Sequence, residues 1–143
     1  MRFLLLIPLI LLFSCQSTKT IPADYEGQRI IFGVGGGFTG SVTTYCLIEN
    51  GTVYRKEGLP GKNESEYEKV DKWNKKDRTA YFEQATEAIS QLEIEGEPGN
   101  LYAFVECDLT SGKGRFTWDD GNPPMEDIMY KLYVSLMNKV KKQ

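Results

Sequence analysis

The 143-residue chain predicts an α+β fold, an antiparallel sheet of about five to six strands with two helices packed on one face. Three observations carry that expectation. Several segments alternate at period two, most clearly 101–109, where Leu101, Ala103, Val105, Cys107 and Leu109 point inward. An Asn50-Gly51 pair separates two strand-like runs, and Asn-Gly is the strongest short hairpin signal. Two later stretches repeat at helical spacing, one before and one after the 101–118 hairpin.

In chain order, 28–32 reads as the first strand and a glycine run follows it. The second strand, 42–48, puts Tyr45 and Leu47 on one face and Val42, Thr44, Cys46 and Ile48 on the other. Asn50-Gly51 predicts a two-residue type I′ turn into a third strand, 52–56. Gly58, Pro60, Gly61 and Asn63 mark a loop over 57–65, and 67–73 reads as a short edge strand. Asn74 is placed to cap a helix, with Asp77 three residues on. Its face is Tyr81, Ala85, Ala88, Ile89 and Leu92. Residues 93–100 form an acidic loop, which reads as a solvated turn and not as a cation loop. After the 101–109 strand, 110–114 turns and 115–118 pairs back. Asn122-Pro123-Pro124 is expected to start the last helix, burying Met125, Ile128, Met129, Leu132, Leu136 and Val140.

The N-terminus points to a compartment. Met1-Arg2 is a short positive region, and the apolar run Phe3–Phe13 is too short to span a bilayer but suits a signal peptide. It ends in Leu12-Phe13-Ser14-Cys15, which resembles a bacterial lipobox. The expected organisation is a lipoprotein signal peptide over 1–14, lipidated Cys15 and a flexible tether over 15–27, and one globular domain over 28–143. Gln16, where some lipoproteins have an Asp that holds them at the inner membrane, favours the outer membrane. The expected location is therefore the bacterial cell envelope, with the membrane as a partner through the lipid.

Composition removes several function classes. The chain has no His, which excludes Ser-His-Asp and Cys-His triads and His-ligated zinc. Net charge is −3, and −4 without residues 1–14, which hold Arg2 and no other charge. Lys139, Lys141 and Lys142 are the one basic cluster and suit a helix C-terminus, so no nucleic-acid partner is expected. Cys46 and Cys107 sit singly in strand-like runs and read as free thiols, with a disulfide between them as the alternative. Without His, catalysis would rest on Asp119, Asp120 or the Glu93, Glu95 and Glu97 group, and nothing in the sequence pairs them. The expectation is a non-enzymatic protein with no metal and no small-molecule cofactor.

The most unusual run is Gly33-Val34-Gly35-Gly36-Gly37-Phe38-Thr39-Gly40. Gly35-x-Gly37-x-x-Gly40 matches the dinucleotide fingerprint in form, but that motif must open a helix. Ser41-Val42-Thr43-Thr44-Tyr45 is a strand former, so the nucleotide reading fails. No Lys-Ser/Thr pair follows, so a Walker loop fails too. Two readings stay open. One is a wide turn between strands; the other is a recognition loop of Gly35, Gly36, Gly37, Phe38, Thr39 and Gly40 that meets a protein partner.

Gly36–Gly40, Leu101–Val105 and the stretch from Phe116 through Pro123-Pro124 to Leu136 together give a resemblance. The chain is similar to the emfourin family, small protein inhibitors of thermolysin-like metallopeptidases. It departs from that pattern in its lipobox and in an inserted hairpin and loop over 50–73. More closely, it resembles small uncharacterised envelope lipoproteins bearing the same Gly-Gly-Gly-Phe-Thr-Gly run. That closer likeness brings no function with it, and no inhibitory contact of the emfourins carries over residue by residue; the expected function is a lipid-anchored, non-enzymatic module that engages a protein partner, in one form a peptidase, through the glycine loop. The alternative is an assembly subunit that joins an envelope complex through its sheet edge.

Overall fold

A computed structural model of the chain describes residues 21, 25–62, 65–92 and 96–142. Cys15, Gln16, Glu93 and Glu95 lie outside the described residues. The elements are β1 (Arg29–Gly36), β2 (Val42–Ile48), β3 (Thr52–Gly58), β4 (Glu68–Lys72), α1 (Lys75–Ser90), β5 (Leu101–Leu109), β6 (Gly112–Asp119) and α2 (Ile128–Lys141). The six strands form one antiparallel sheet in the order β4-β3-β2-β1-β5-β6, and both helices cover one face of it. The predicted fold class is the observed one.

β1 is central, and its alternation sorts the two faces. Ile30 and Phe32 point to the helices and are fully buried, beside Leu47, Val53, Val105 and Cys107. Each such side chain contributes roughly 1.5–3 kcal/mol through burial. Ile31 points the other way, to a smaller cluster with Cys46, Ile48 and Tyr54 on the helix-free face. Ile21 and Tyr25, within the stretch read as a tether, pack on that cluster. Cys46 pairs in register with Ile31 and Cys107 with Ile30, so the two thiols lie on opposite faces, and both are free.

The helices run across the strands. α1 is capped by Asn74, whose side chain accepts from the Asp77 N–H. It begins beside the β2–β3 turn, where the Trp73 N–H donates to the Gly51 carbonyl at 2.8 Å. It ends against the start of β6, where Ile89 and Leu92 lie over Gly112 and Gly114. α2 returns antiparallel to it: Lys139 reaches Asp77 at 2.6 Å, and the Tyr81 hydroxyl donates to the Ser135 carbonyl at 3.2 Å. Trp118 of β6 meets Tyr130 and Tyr133 of α2 edge-on, with ring centroids 5.7 and 4.9 Å apart.

Several expectations are corrected. The last helix starts not at Asn122 but at Ile128, capped by Asp127, whose side chain accepts from the Met129 N–H at 2.7 Å. A residue ahead of proline is pushed out of the α region. Asn122 and Pro123 both precede one, so the chain first turns, with the Asp127 N–H on the Pro124 carbonyl at 2.9 Å. Met125 consequently lies before the helix and is exposed. The β2–β3 turn is one residue wider than the type I′ reading. The Gly51 N–H donates to the Ile48 carbonyl at 2.8 Å, and Gly51 takes φ +91°. That is a three-residue loop of Glu49, Asn50 and Gly51, with Gly in the left-handed position.

Candidate functional site

A further correction concerns the glycine run itself. β1 does not stop at Phe32: Gly33–Gly36 continue the strand, paired with Leu101–Phe104 of β5, and Gly33 and Gly35 also pair with Thr44 and Val42 of β2. A central strand hydrogen-bonded on both sides holds glycines that would cost about 0.5–1 kcal/mol each relative to Ala. Gly35 has a packing reason. A Cβ there would sit 2.7 Å from the Tyr102 hydroxyl and 2.8 Å from Val42 Cγ2, so the Tyr102 ring lies across the bare backbone.

Beyond Gly35 the two neighbours of β1 part company. Gly36 and Gly37 stay with β5, at φ +92° and +71°, and the Gly37 N–H donates to the Asn100 carbonyl at 2.8 Å. The turn closes with the Gly40 N–H on the Gly37 carbonyl at 3.2 Å, Gly40 itself at φ +65°. Side chains rarely adopt these angles, so the glycine count has a backbone explanation. It no longer argues for function by itself.

Phe38 has no such explanation. It stands with Thr39 at the centre of the turn, fully exposed. Thr39 Oγ1 accepts weakly from the Ser41 N–H at 3.4 Å, which braces the return. Leu101 and Leu59 flank the turn: a Cβ on Gly37 would lie 3.0 Å from Leu101 Cδ2, and one on Gly40 3.6 Å from Leu59 Cδ2. Both leucines are exposed, so three large apolar side chains share one pole of the sheet. Leu101 was expected to point inward with the rest of its strand. It begins β5 beyond the cover of the helices, and its exposure is the corrected finding.

The candidate site is therefore Gly35, Gly36, Gly37, Phe38, Thr39 and Gly40, joined by Leu59, which the sequence did not single out, and by Leu101, which it placed in the core. It carries no ionisable group, and what it presents is apolar surface on a braced turn.

The other chemistry-bearing residues are dispersed. Asp119 accepts from the Gly121 N–H at 2.9 Å, which fixes the turn after β6. Burial pushes the Cys46 and Cys107 thiols up to about 12, which makes them poor nucleophiles near neutral pH. Among the described residues, no three His, Cys, Asp or Glu side chains converge.

No protein-family model matches the chain, and no curated protein matches its sequence.

Proposed function

We propose that this chain is a lipid-anchored binding module of the bacterial cell envelope that engages a protein partner through its glycine-framed tip. Its sharpest form is a non-enzymatic inhibitor of a peptidase. One observation carries the reading: Phe38 is fully exposed on a turn whose backbone is pinned on both sides, by Asn100 and by the Gly37–Gly40 hydrogen bond. An aromatic side chain held out on a braced turn loses little conformational freedom on binding, the usual character of an interface anchor. Anchoring rests on Ser14-Cys15 behind the apolar run, and the non-catalytic assignment on a sequence without His.

The assembly reading has less support. β4, one sheet edge, carries Glu68, Lys69, Asp71 and Lys72 opposite a bulge at Val53/Tyr54, both features that discourage strand addition. At the other edge, Gly96 lies against the Thr117 carbonyl of β6.

The test is a titration of a thermolysin-like metallopeptidase with the full chain. Stoichiometric loss of activity and a complex on gel filtration are expected. Unchanged activity with no complex removes the inhibitor form. Membrane fractionation of Cys15→Ser tests the anchor: the variant should leave the membrane fraction, and retention there would overturn lipidation at that residue.

A further inference from the structure

The helix-free face of the sheet holds a second candidate, which shares no residue with the Gly35–Gly40 turn. Two hollows lie on it. One, of about 360 Å³, is bounded by Tyr67 and Tyr102 above β1, β2 and β3. The other, of about 500 Å³, lies above β5 and β6 beside Gly96 and Pro98. Tyr102 and Arg115 stand between the two, and the first hollow by itself is a trough that crosses the strands, lined from Lys56 of β3 to Arg115 of β6. From β3 to β6 it covers four strand spacings, about 19 Å, the reach of a short chain molecule and not of a single ring.

The lining has a definite chemistry. Tyrosines and prolines supply apolar faces, and between them stand groups of both signs. Arg115 lies over the Phe104 ring at 4.1 Å and pairs with Glu106 at 3.0 Å. Lys56 sits 4.9 Å from the centre of the Tyr67 ring. With the Glu106 carboxylate matched to Arg115 and Lys56 set against the Tyr67 ring, the trough mixes both signs and presents no single-sign field that would select a polyelectrolyte. It presents flat apolar rings edged by charged donors and acceptors. That arrangement matches a ligand with apolar ring faces and a rim of hydroxyls.

We infer that this trough is a binding site for a neutral oligosaccharide, laid across β1 and β5 with Tyr102 and Tyr67 as its stacking surfaces. The inference is independent of the tip and of its protein partner.

The experiment is calorimetric and amide-shift titration of the full chain with triacetylchitotriose and with maltotriose as neutral probes. Saturable binding of at least one is expected, with shifts at Val42, Thr44, Tyr102 and Thr117. Tyr102→Ala and Tyr67→Ala should each weaken it about tenfold, and Tyr102→Phe should retain it. Tyr102 covers Gly35 and its loss can disturb the strand, so Tyr67→Ala tests the same trough from its other end. Phe38→Ala should bind the sugar as the wild type does, even where it loses a protein partner. Three results overturn the assignment: no saturable binding of either sugar, full binding by both tyrosine-to-alanine variants, or equal competition by trialanine, which would make the trough a peptide groove.

Discussion

Truncating Phe38 to Ala separates the two readings of the glycine turn in one pair of measurements. The side chain is fully exposed, so its removal takes no buried apolar area from the folded state. The burial energy of about 25 cal/mol per Å² therefore has nothing to act on. The stability change should stay within about 0.5 kcal/mol, at most about 3 °C in Tm for a domain of this size. Phe32→Ala is the internal control. Phe32 is fully buried and stacks on Tyr45 with centroids 5.4 Å apart, so its truncation should cost about 3–5 kcal/mol. Against a total stability of about 5–15 kcal/mol, that is a large fraction. In binding the order reverses. Loss of a central aromatic anchor costs about 2 kcal/mol or more, at least about 30-fold in Kd. Urea unfolding followed by circular dichroism gives the first number, and titration of a partner peptidase gives the second. A Phe38→Ala curve displaced as far as the Phe32→Ala curve would show that Phe38 folds back onto the sheet. An unchanged curve with unchanged Kd would remove the tip from the interface.

Three further outcomes test the framework. Gly51→Val places a β-branched side chain at φ +91° with its Cβ 2.5 Å from the Trp73 carbonyl oxygen, and should cost about 1–3 kcal/mol by thermal melting; an unchanged Tm would refute the observed turn. The hydrogen bond from Lys139 holds the Asp77 carboxyl below its usual range, and the hydrogen bond from Lys113, with help from Arg29, does the same for Asp108. A depressed carboxylate adds stability above its unfolded pKa, about 3.9, and loses it as pH falls through the folded value. Tm should therefore drop on acidification below about pH 5, and Asp77→Asn should flatten part of that slope; an identical slope would discount the Lys139 pair. Cys46 and Cys107 should resist a thiol-reactive dye in the native protein and react once guanidinium unfolds it; labelling of either in the native state would contradict their burial.

The fold was legible wherever side-chain period and turn chemistry agreed. β2, β5, the Asn74 cap and the Tyr81–Leu92 helix face all came from local pattern, and tertiary packing left them unchanged. The misses share a cause in the surroundings of the chain. Gly33–Gly36 read as loop because glycine disfavours strand, but two neighbouring strands override that preference. Asn122 looked like a cap, yet the proline pair behind it delays the helix by a turn. Leu101 follows the alternation of its strand and still ends exposed, because the alternation does not say how far the helices extend. The trough on the helix-free face was beyond reach for a similar reason. Tyr67 and Tyr102 are far apart in sequence and reach one face of the sheet only through the strand order β4-β3-β2-β1-β5.

The pinning of the tip has a consequence for engineering. Asn100 holds Gly37 on one side of the turn, and Gly40 closes back on Gly37, so the backbone that fixes the hairpin lies below Phe38 and Thr39. The bond between those two residues is then a graft point. A peptide inserted there meets no core side chain, and each doubling of loop length adds only about 0.6 kcal/mol of closure entropy. β1 begins at the opposite end of the sheet, where α1 closes it off, so such an insert would project away from the start of β1. The same framework would serve as a display scaffold, carrying foreign epitopes on a stalk one strand tall.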